Sequence, residues 1–170
     1  NAAAEFNWWA DPDAAQICVR SAWGDVNSES YKTYGNQMIS GLEANQNSGG
    51  MPQDLYEKML ENTWPGLREL FEKNNGNTAP DMIWDVFTVA YLIDPTVVLS
   101  WNNQPIPENG EAEDIHGVYI DVNTEMTQDY GRSLAYSATK GPAGSKKAAI
   151  QNYIDEDKFW NEIVYPALVP

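Results

Sequence analysis

Residues 82–95 read MIWDVFTVAYLIDP, an almost wholly apolar segment. Val86, Val89 and Ile93 recur at spacings of three and four, which predicts a helix whose buried face runs along these side chains. Asp85 falls in the first turn of this helix, where the positive end of the helix dipole favours a carboxylate. Trp84 directly precedes it. In most proteins such an aspartate only balances the helix dipole, and the adjacent tryptophan packs in the core. The pair is also compatible with a second role, in which the carboxylate holds a metal ion or a polar ligand.

Helical and extended patterns alternate on both sides of this segment. Asp11 and Pro12 are a typical N-cap and first residue of a helix at 12–20. Residues 117–123 alternate apolar and polar side chains, as a half-buried strand does. The other predicted elements are helices at 30–42, 52–62, 65–73 and 155–168, strands at 97–101 and 148–154, and loops at 1–9, 45–50, 74–80 and 102–110. Strands that alternate with helices predict an α/β fold, with helices on the faces of an open sheet.

The charge of the chain bears on its partners. Its 170 residues, the size of one ordinary domain, include 25 acidic and 10 basic side chains, which gives a formal net charge of −15. Nucleic-acid polymers and anionic membranes bind to basic surfaces. We therefore expect neither of them as a partner, and cations and neutral small molecules fit the composition better.

Cys18 is the sole cysteine of the chain and His116 the sole histidine. A single cysteine excludes a disulfide framework within the chain and a cysteine-rich zinc site. Cys18 lies in a helical pattern and is predicted to be a small core residue. His116 precedes a predicted strand, and we expect a surface histidine there rather than a catalytic acid.

Four segments together resemble the nucleoside hydrolase family, the inosine–uridine-preferring enzymes and their purine-specific relatives. AEFNWWADPDAA (residues 4–15) and IWDVFTVAYLIDP (83–95) are similar to two signatures of the C-terminal half of that family, in the same order. IDVNTEMTQDYGRS (120–133) resembles a late strand-and-turn segment, and IDEDKFWNEI (154–163) resembles the closing helix. The resemblance implies the C-terminal half of an open, mostly parallel, Rossmann-like sheet flanked by helices.

The resemblance also implies a reaction and a metal. The family hydrolyses ribonucleosides at the N-glycosidic bond, where a Ca²⁺-activated water attacks the anomeric carbon of ribose and the base departs. Asp85 matches a calcium-ligating aspartate of the family. Glu5 and Asn7 match its ribose-binding pair, and their spacing of two suits an extended segment that turns both side chains the same way. From spacing alone, local turn hydrogen bonds of Glu5 and Asn7 remain the alternative.

Trp84 matches the position at which pyrimidine-active relatives carry a histidine that protonates the leaving base. A tryptophan at this position is similar to the purine-specific branch. An indole is no general acid at neutral pH, so its catalytic contribution is stacking on the base. The resemblance therefore implies a purine preference, and a structural role of Trp84 in the core is the alternative.

The aspartate cluster DxDxxxDD of the family's N-terminal half does not occur in this sequence. We therefore expect residues 1–170 to be the C-terminal part of a nucleoside hydrolase-like domain, with the cluster supplied by the N-terminal half of the same protein or by a companion chain. A homo-oligomer is compatible with this expectation. Residues 22–79 depart from the family pattern, so the alternative function is a divergent or catalytically inactive domain that binds a sugar or glycan. A nucleoside that is turned over distinguishes the enzyme from a glycan that is only bound.

Overall fold

The computed structural model describes residues 4–21, 37–81, 84–110 and 117–170. His116 and the first part of the predicted helix at 30–42 lie outside these residues. The described elements are, in chain order, α1 (Phe6–Ala10), α2 (Pro12–Arg20), β1 (Met38–Ser40), α3 (Leu42–Ser48), α4 (Gln53–Asn62), α5 (Pro65–Asn75), α6 (Trp84–Ile93), a 3₁₀ turn (Pro95–Val97), β2 (Val98–Trp101), β3 (Val118–Val122), β4 (Ser133–Ala135), β5 (Lys146–Ile154), a π-helix (Lys158–Val164) and α7 (Tyr165–Leu168). Among the described residues, no helix is long and apolar enough to cross a membrane.

The chain divides into two compact units. Unit 1 contains residues 1–39 and 114–150, and unit 2 contains residues 40–113 and 151–170. The boundary at residue 150 falls inside β5, so the first half of this strand belongs to unit 1 and the second half to unit 2.

Unit 1 is a small sheet with helices packed against it. Its strands lie in the order β1-β5-β3-β4. β3 pairs antiparallel with both β4 and β5, with Ile120 opposite Ala135 and Val118 opposite Ala148. The core of this unit is formed by Val19 of α2 and by buried side chains of β3 and β5, namely Ile120, Val122 and Ala148.

Unit 2 consists mainly of helices. Its strand β2 pairs antiparallel with the second half of β5, with Val98 opposite Ile154. Phe87 of α6 and Phe159 of the π-helix are almost completely buried, and their ring centroids lie 4.7 Å apart. Tyr56 and Met59 of α4 are fully buried in the same unit.

The α/β class, with an open sheet and flanking helices, is confirmed. The three strand pairs whose register the structure describes are antiparallel, in contrast to the parallel arrangement that the resemblance implies. The short connection between β3 and β4 explains one of these pairs, because adjacent parallel strands need a crossover of a dozen or more residues.

Helix α6 lies where the apolar segment predicts a helix, but the predicted buried face is wrong. Val86, Val89 and Ile93 are exposed, whereas Phe87 and Ala90 are buried. The helix is apolar on all sides, so spacing alone does not distinguish the face that packs inside unit 2 from the opposite face.

Other sequence predictions are corrected by local packing. The predicted loop at 1–9 contains α1, and the predicted loop at 45–50 is largely helical because α3 extends to Ser48. The described end of the predicted helix at 30–42 is strand β1, followed by the start of α3. Cys18 is exposed rather than in the core, since α2 buries Val19 instead.

Candidate active site

Glu5 and Asn7, the candidate ribose-binding pair, lie at the start of α1 in unit 1. Glu5 is the N-cap of the helix, and its Oε2 accepts hydrogen bonds from the backbone N–H groups of Asn7 at 2.8 Å and Trp8 at 3.0 Å. The side-chain amide of Asn7 donates to Glu5 Oε1 at 3.2 Å. The extended segment predicted here is therefore wrong, because a carboxylate that caps the free N–H groups favours a helix start.

This capping arrangement leaves hydrogen-bonding capacity on both side chains. An ionised carboxylate has about four acceptor positions, and within the described residues three donors contact Glu5. With respect to this part of the chain, Oε1 of Glu5 retains one position, and the side chain of Asn7 retains its carbonyl oxygen and a second N–H. These groups are what a ribose hydroxyl requires, since a hydroxyl both donates and accepts.

Helix α1 lies against the backbone of Gly131 inside unit 1. Gly131 has φ +83°, and a Cβ atom at this residue would lie 2.8 Å from the Cα of Trp9 and 3.2 Å from the carbonyl oxygen of Trp8. Trp8 packs against the unit 1 core, whereas Trp9 is exposed. The two adjacent indoles thus have different surroundings, one against the core and one exposed to solvent.

Trp84 and Asp85 begin α6 in unit 2. The helix is anchored by Phe87 against Phe159 and by Tyr91, whose ring meets Trp101 edge-on at 5.5 Å. Trp84 is 46% exposed, so it is not a core residue of this chain. Asp85 is also exposed, in the first turn of the helix.

Whether a metal ion fits these residues depends on their donor atoms. Within residues 4–21, 37–81, 84–110 and 117–170, no group of three or more histidine, cysteine, aspartate or glutamate side chains could hold an ion. The exposed carboxylate of Asp85 is a suitable oxygen ligand for Ca²⁺, but this ion takes six to eight oxygen ligands. Asp85 therefore fits as one member of a ligand set and needs further ligands.

An ion pair between α2 and β3 was not predicted from the sequence. Arg20 donates to both carboxylate oxygens of Asp121, with Nε–Oδ1 at 2.9 Å and Nη2–Oδ2 at 2.6 Å. Only 7% of the Asp121 side chain is exposed. The alternation of β3 predicts that Asp121 faces solvent. Nothing in the sequence indicates that Arg20, in the last turn of α2, is its partner.

Comparison with known proteins identifies the family and the fold of this chain. The family model of the inosine-uridine preferring nucleoside hydrolases matches residues 1–161. A solved structure titled "Inosine-Guanosine Nucleoside Hydrolase (IG-NH)" is similar in fold, with a TM-score of 0.65 and 18% sequence identity. The match covers 94% of this chain and 44% of that chain, so this chain spans less than half the length of the solved protein. A comparison with curated proteins gives no match. The family match extends over nearly the whole chain, and the chain therefore belongs to the inosine-uridine preferring nucleoside hydrolase family.

Proposed function

We propose that this chain is the C-terminal part of a ribonucleoside N-glycosidase that prefers purine nucleosides and uses Ca²⁺. The observation that carries the proposal is the exposed Trp84–Asp85 pair at the start of α6, in a chain that belongs to the nucleoside hydrolase family. In the reaction, water adds to the anomeric carbon of ribose, the bond to the base nitrogen breaks, and the base leaves with a proton. The products are free ribose and free base.

Asp85 would hold the Ca²⁺ together with carboxylates from the N-terminal part of the domain. When bound, such an ion supplies positive charge that orients a water molecule and the vicinal hydroxyls of the sugar. The length of the solved relative supports a contribution from outside this chain, because more than half of that protein has no counterpart here. We expect residues 1–170 alone to bind Ca²⁺ only weakly, since Asp85 belongs to no group of three or more such ligands among the described residues.

Glu5 and Asn7 are proposed to bind the ribose. The free acceptor position on Glu5 Oε1 takes a hydroxyl hydrogen, and the amide of Asn7 offers both a donor and an acceptor to a neighbouring hydroxyl. The capping hydrogen bonds hold the Glu5 carboxylate in one orientation. A fixed orientation lowers the entropy that sugar binding costs.

Trp84 is proposed to stack on the purine base. An exposed indole presents a flat face to an aromatic ring, and stacking of this kind is worth roughly 1–3 kcal/mol per base in proteins that bind single-stranded nucleic acids. Because the indole cannot donate a proton to the base as an acid, its effect on the reaction is to favour the departing, protonated base.

Replacement of Trp84 tests this role. We expect Trp84→Leu in the complete protein to lower kcat for inosine by about tenfold or more, the effect of losing a stabilisation of about 1.4 kcal/mol. Hydrolysis of p-nitrophenyl riboside should change much less, because its leaving group departs as a stable anion. The matched control is Trp64→Leu, which removes another exposed indole of unit 2 and should leave both rates unchanged. Equal losses on the two substrates would contradict a role in leaving-group departure.

The proposed function itself is tested with the complete protein and the substrates inosine, guanosine and uridine. We expect release of free base, faster from the purine nucleosides, with loss of activity after calcium chelation and recovery when Ca²⁺ is restored. Activity that is insensitive to chelation would exclude the ion, and a faster rate on uridine would exclude the purine preference. Binding of ribose or a glycan without any turnover would replace this proposal by that of a sugar-binding domain.

A further inference from the structure

Helix α6 has an apolar face that the described residues of unit 2 leave largely exposed. Its sequence, WDVFTVAYLI, is apolar around nearly the whole circumference. Phe87 and Ala90 are buried inside unit 2, while Val89, Leu92 and Ile93 on the other side are 53%, 77% and 63% exposed. A helix that is apolar all round is typical of the interior of a larger protein.

An apolar cavity of about 210 Å³ lies beside this face. It is formed entirely within unit 2, by Val86, Val89 and Ile93 of α6 together with side chains of α5, the π-helix and α7. All of its lining residues are apolar. Such a cavity fits hydrocarbon side chains of a partner, because a polar group buried there would have no hydrogen-bond partner.

We infer that the exposed face of α6 and this cavity are the docking surface for the remaining part of the nucleoside hydrolase domain. The length of the similar solved structure indicates the occupant. The match covers 44% of that protein, so the other 56% of it has no counterpart in this chain. The contact is apolar on the side of this chain, so the occupant presents an apolar helix or strand face. The inference rests on the proposed function in one respect, namely that residues 1–170 form part of a larger domain.

Docking at this face would also serve the candidate site. Trp84 and Asp85 belong to the same ten-residue helix as Val89 and Leu92. A partner that covers α6 therefore fixes the helix whose first turn carries the proposed calcium ligand. The additional carboxylates that Ca²⁺ needs could then be supplied by that partner.

Thiol labelling tests the inference independently of activity. In a Cys18→Ser background, Leu92→Cys places a single thiol on the exposed face of α6, and Met126→Cys places one on an 87% exposed position of unit 1. In the chain alone, both thiols should react with a maleimide at similar rates. In the complete protein, the rate at position 92 should fall by about tenfold or more, because labelling then requires local opening, while position 126 stays reactive.

Two outcomes would overturn the inference. Equal reactivity at position 92 in the complete protein and in the chain alone would show that the rest of the domain does not cover α6. Protection in the chain alone that grows with protein concentration would show that a second copy covers it. Since the readout is a labelling rate, a protected position 92 in a protein that does not hydrolyse nucleosides would refute the proposed function and leave the docking surface intact.

Discussion

Replacement of Asp85 by asparagine should abolish most nucleoside hydrolysis by the complete protein. We expect kcat/KM to fall by more than about 100-fold. Replacement of a residue that only supports a metal ligand typically lowers metal affinity or activity 10–100-fold, and loss of a direct ligand should cost more. The amide keeps the size of the side chain but removes the negative charge that a hard divalent cation requires. Calcium affinity, measured by titration calorimetry on the same protein, should fall together with activity.

The matched control for this experiment is Asp54→Asn. Asp54 is an exposed aspartate in the first turn of α4, so it has the same helix-terminal position in the same unit as Asp85. If the role of Asp85 were only to balance the helix dipole, both substitutions would cost roughly 0.3–1 kcal/mol of stability and nothing in activity. An Asp85→Asn enzyme with normal calcium affinity and normal kcat/KM would refute the assignment.

The largest effect on stability is expected from Arg20→Ala. This substitution leaves the buried carboxylate of Asp121 without its bidentate partner, and removal of one member of a buried ion pair costs about 3–5 kcal/mol. Because 36% of the Arg20 side chain is exposed, water can partly replace it, and we expect a loss at the lower end, about 3 kcal/mol. Urea unfolding at pH 7 measures this free energy.

The pH dependence of that loss follows from the pKa of Asp121. Burial alone raises this pKa, but hydrogen bonds from Arg20 and from the Val122 backbone, with the charge of Arg20, outweigh burial and hold it below the ordinary value of 3.8. A carboxylate whose pKa is lower in the folded than in the unfolded state adds stability above the unfolded pKa, and that stability is lost as the pH falls through the folded pKa. The difference between the wild type and Arg20→Ala should therefore be full at pH 7. It should shrink as the pH falls through the pKa of Asp121 in the variant, which loss of Arg20 raises, toward the lower pKa of Asp121 in the wild type.

Arg132→Ala is the control for the ion pair. Nη1 of Arg132 lies 3.7 Å from Oδ2 of Asp129, and both side chains are about half exposed. An exposed pair of this kind is worth about 0–1 kcal/mol, so this variant should unfold close to the wild type at every pH. If Arg20→Ala destabilised the protein no more than Arg132→Ala does, or equally at pH 7 and pH 3, the Arg20–Asp121 pair would not be an important source of stability.

The sequence by itself determined the family and the positions of several elements. The segments at 4–15 and 83–95 carry the resemblance that the family match confirms. Helix α2 has the predicted bounds of 12–20 and begins at the predicted N-cap, with Asp11 accepting from the backbone N–H of Ala14 at 3.0 Å. Strands β2, β3 and β5 also lie close to their predicted bounds. These features are local, because capping, alternation and turn residues act within a few positions along the chain.

Only the tertiary structure decided which side chains are buried and which pairs form. Spacing predicted Val86, Val89 and Ile93 as the inner face of α6, yet Phe87 packs against Phe159, which lies far away in sequence. Strand alternation placed Asp121 on the solvent side, yet its partner Arg20 lies 101 positions earlier. The physical reason is that burial is a property of two surfaces in contact, and one chain segment specifies only one of them.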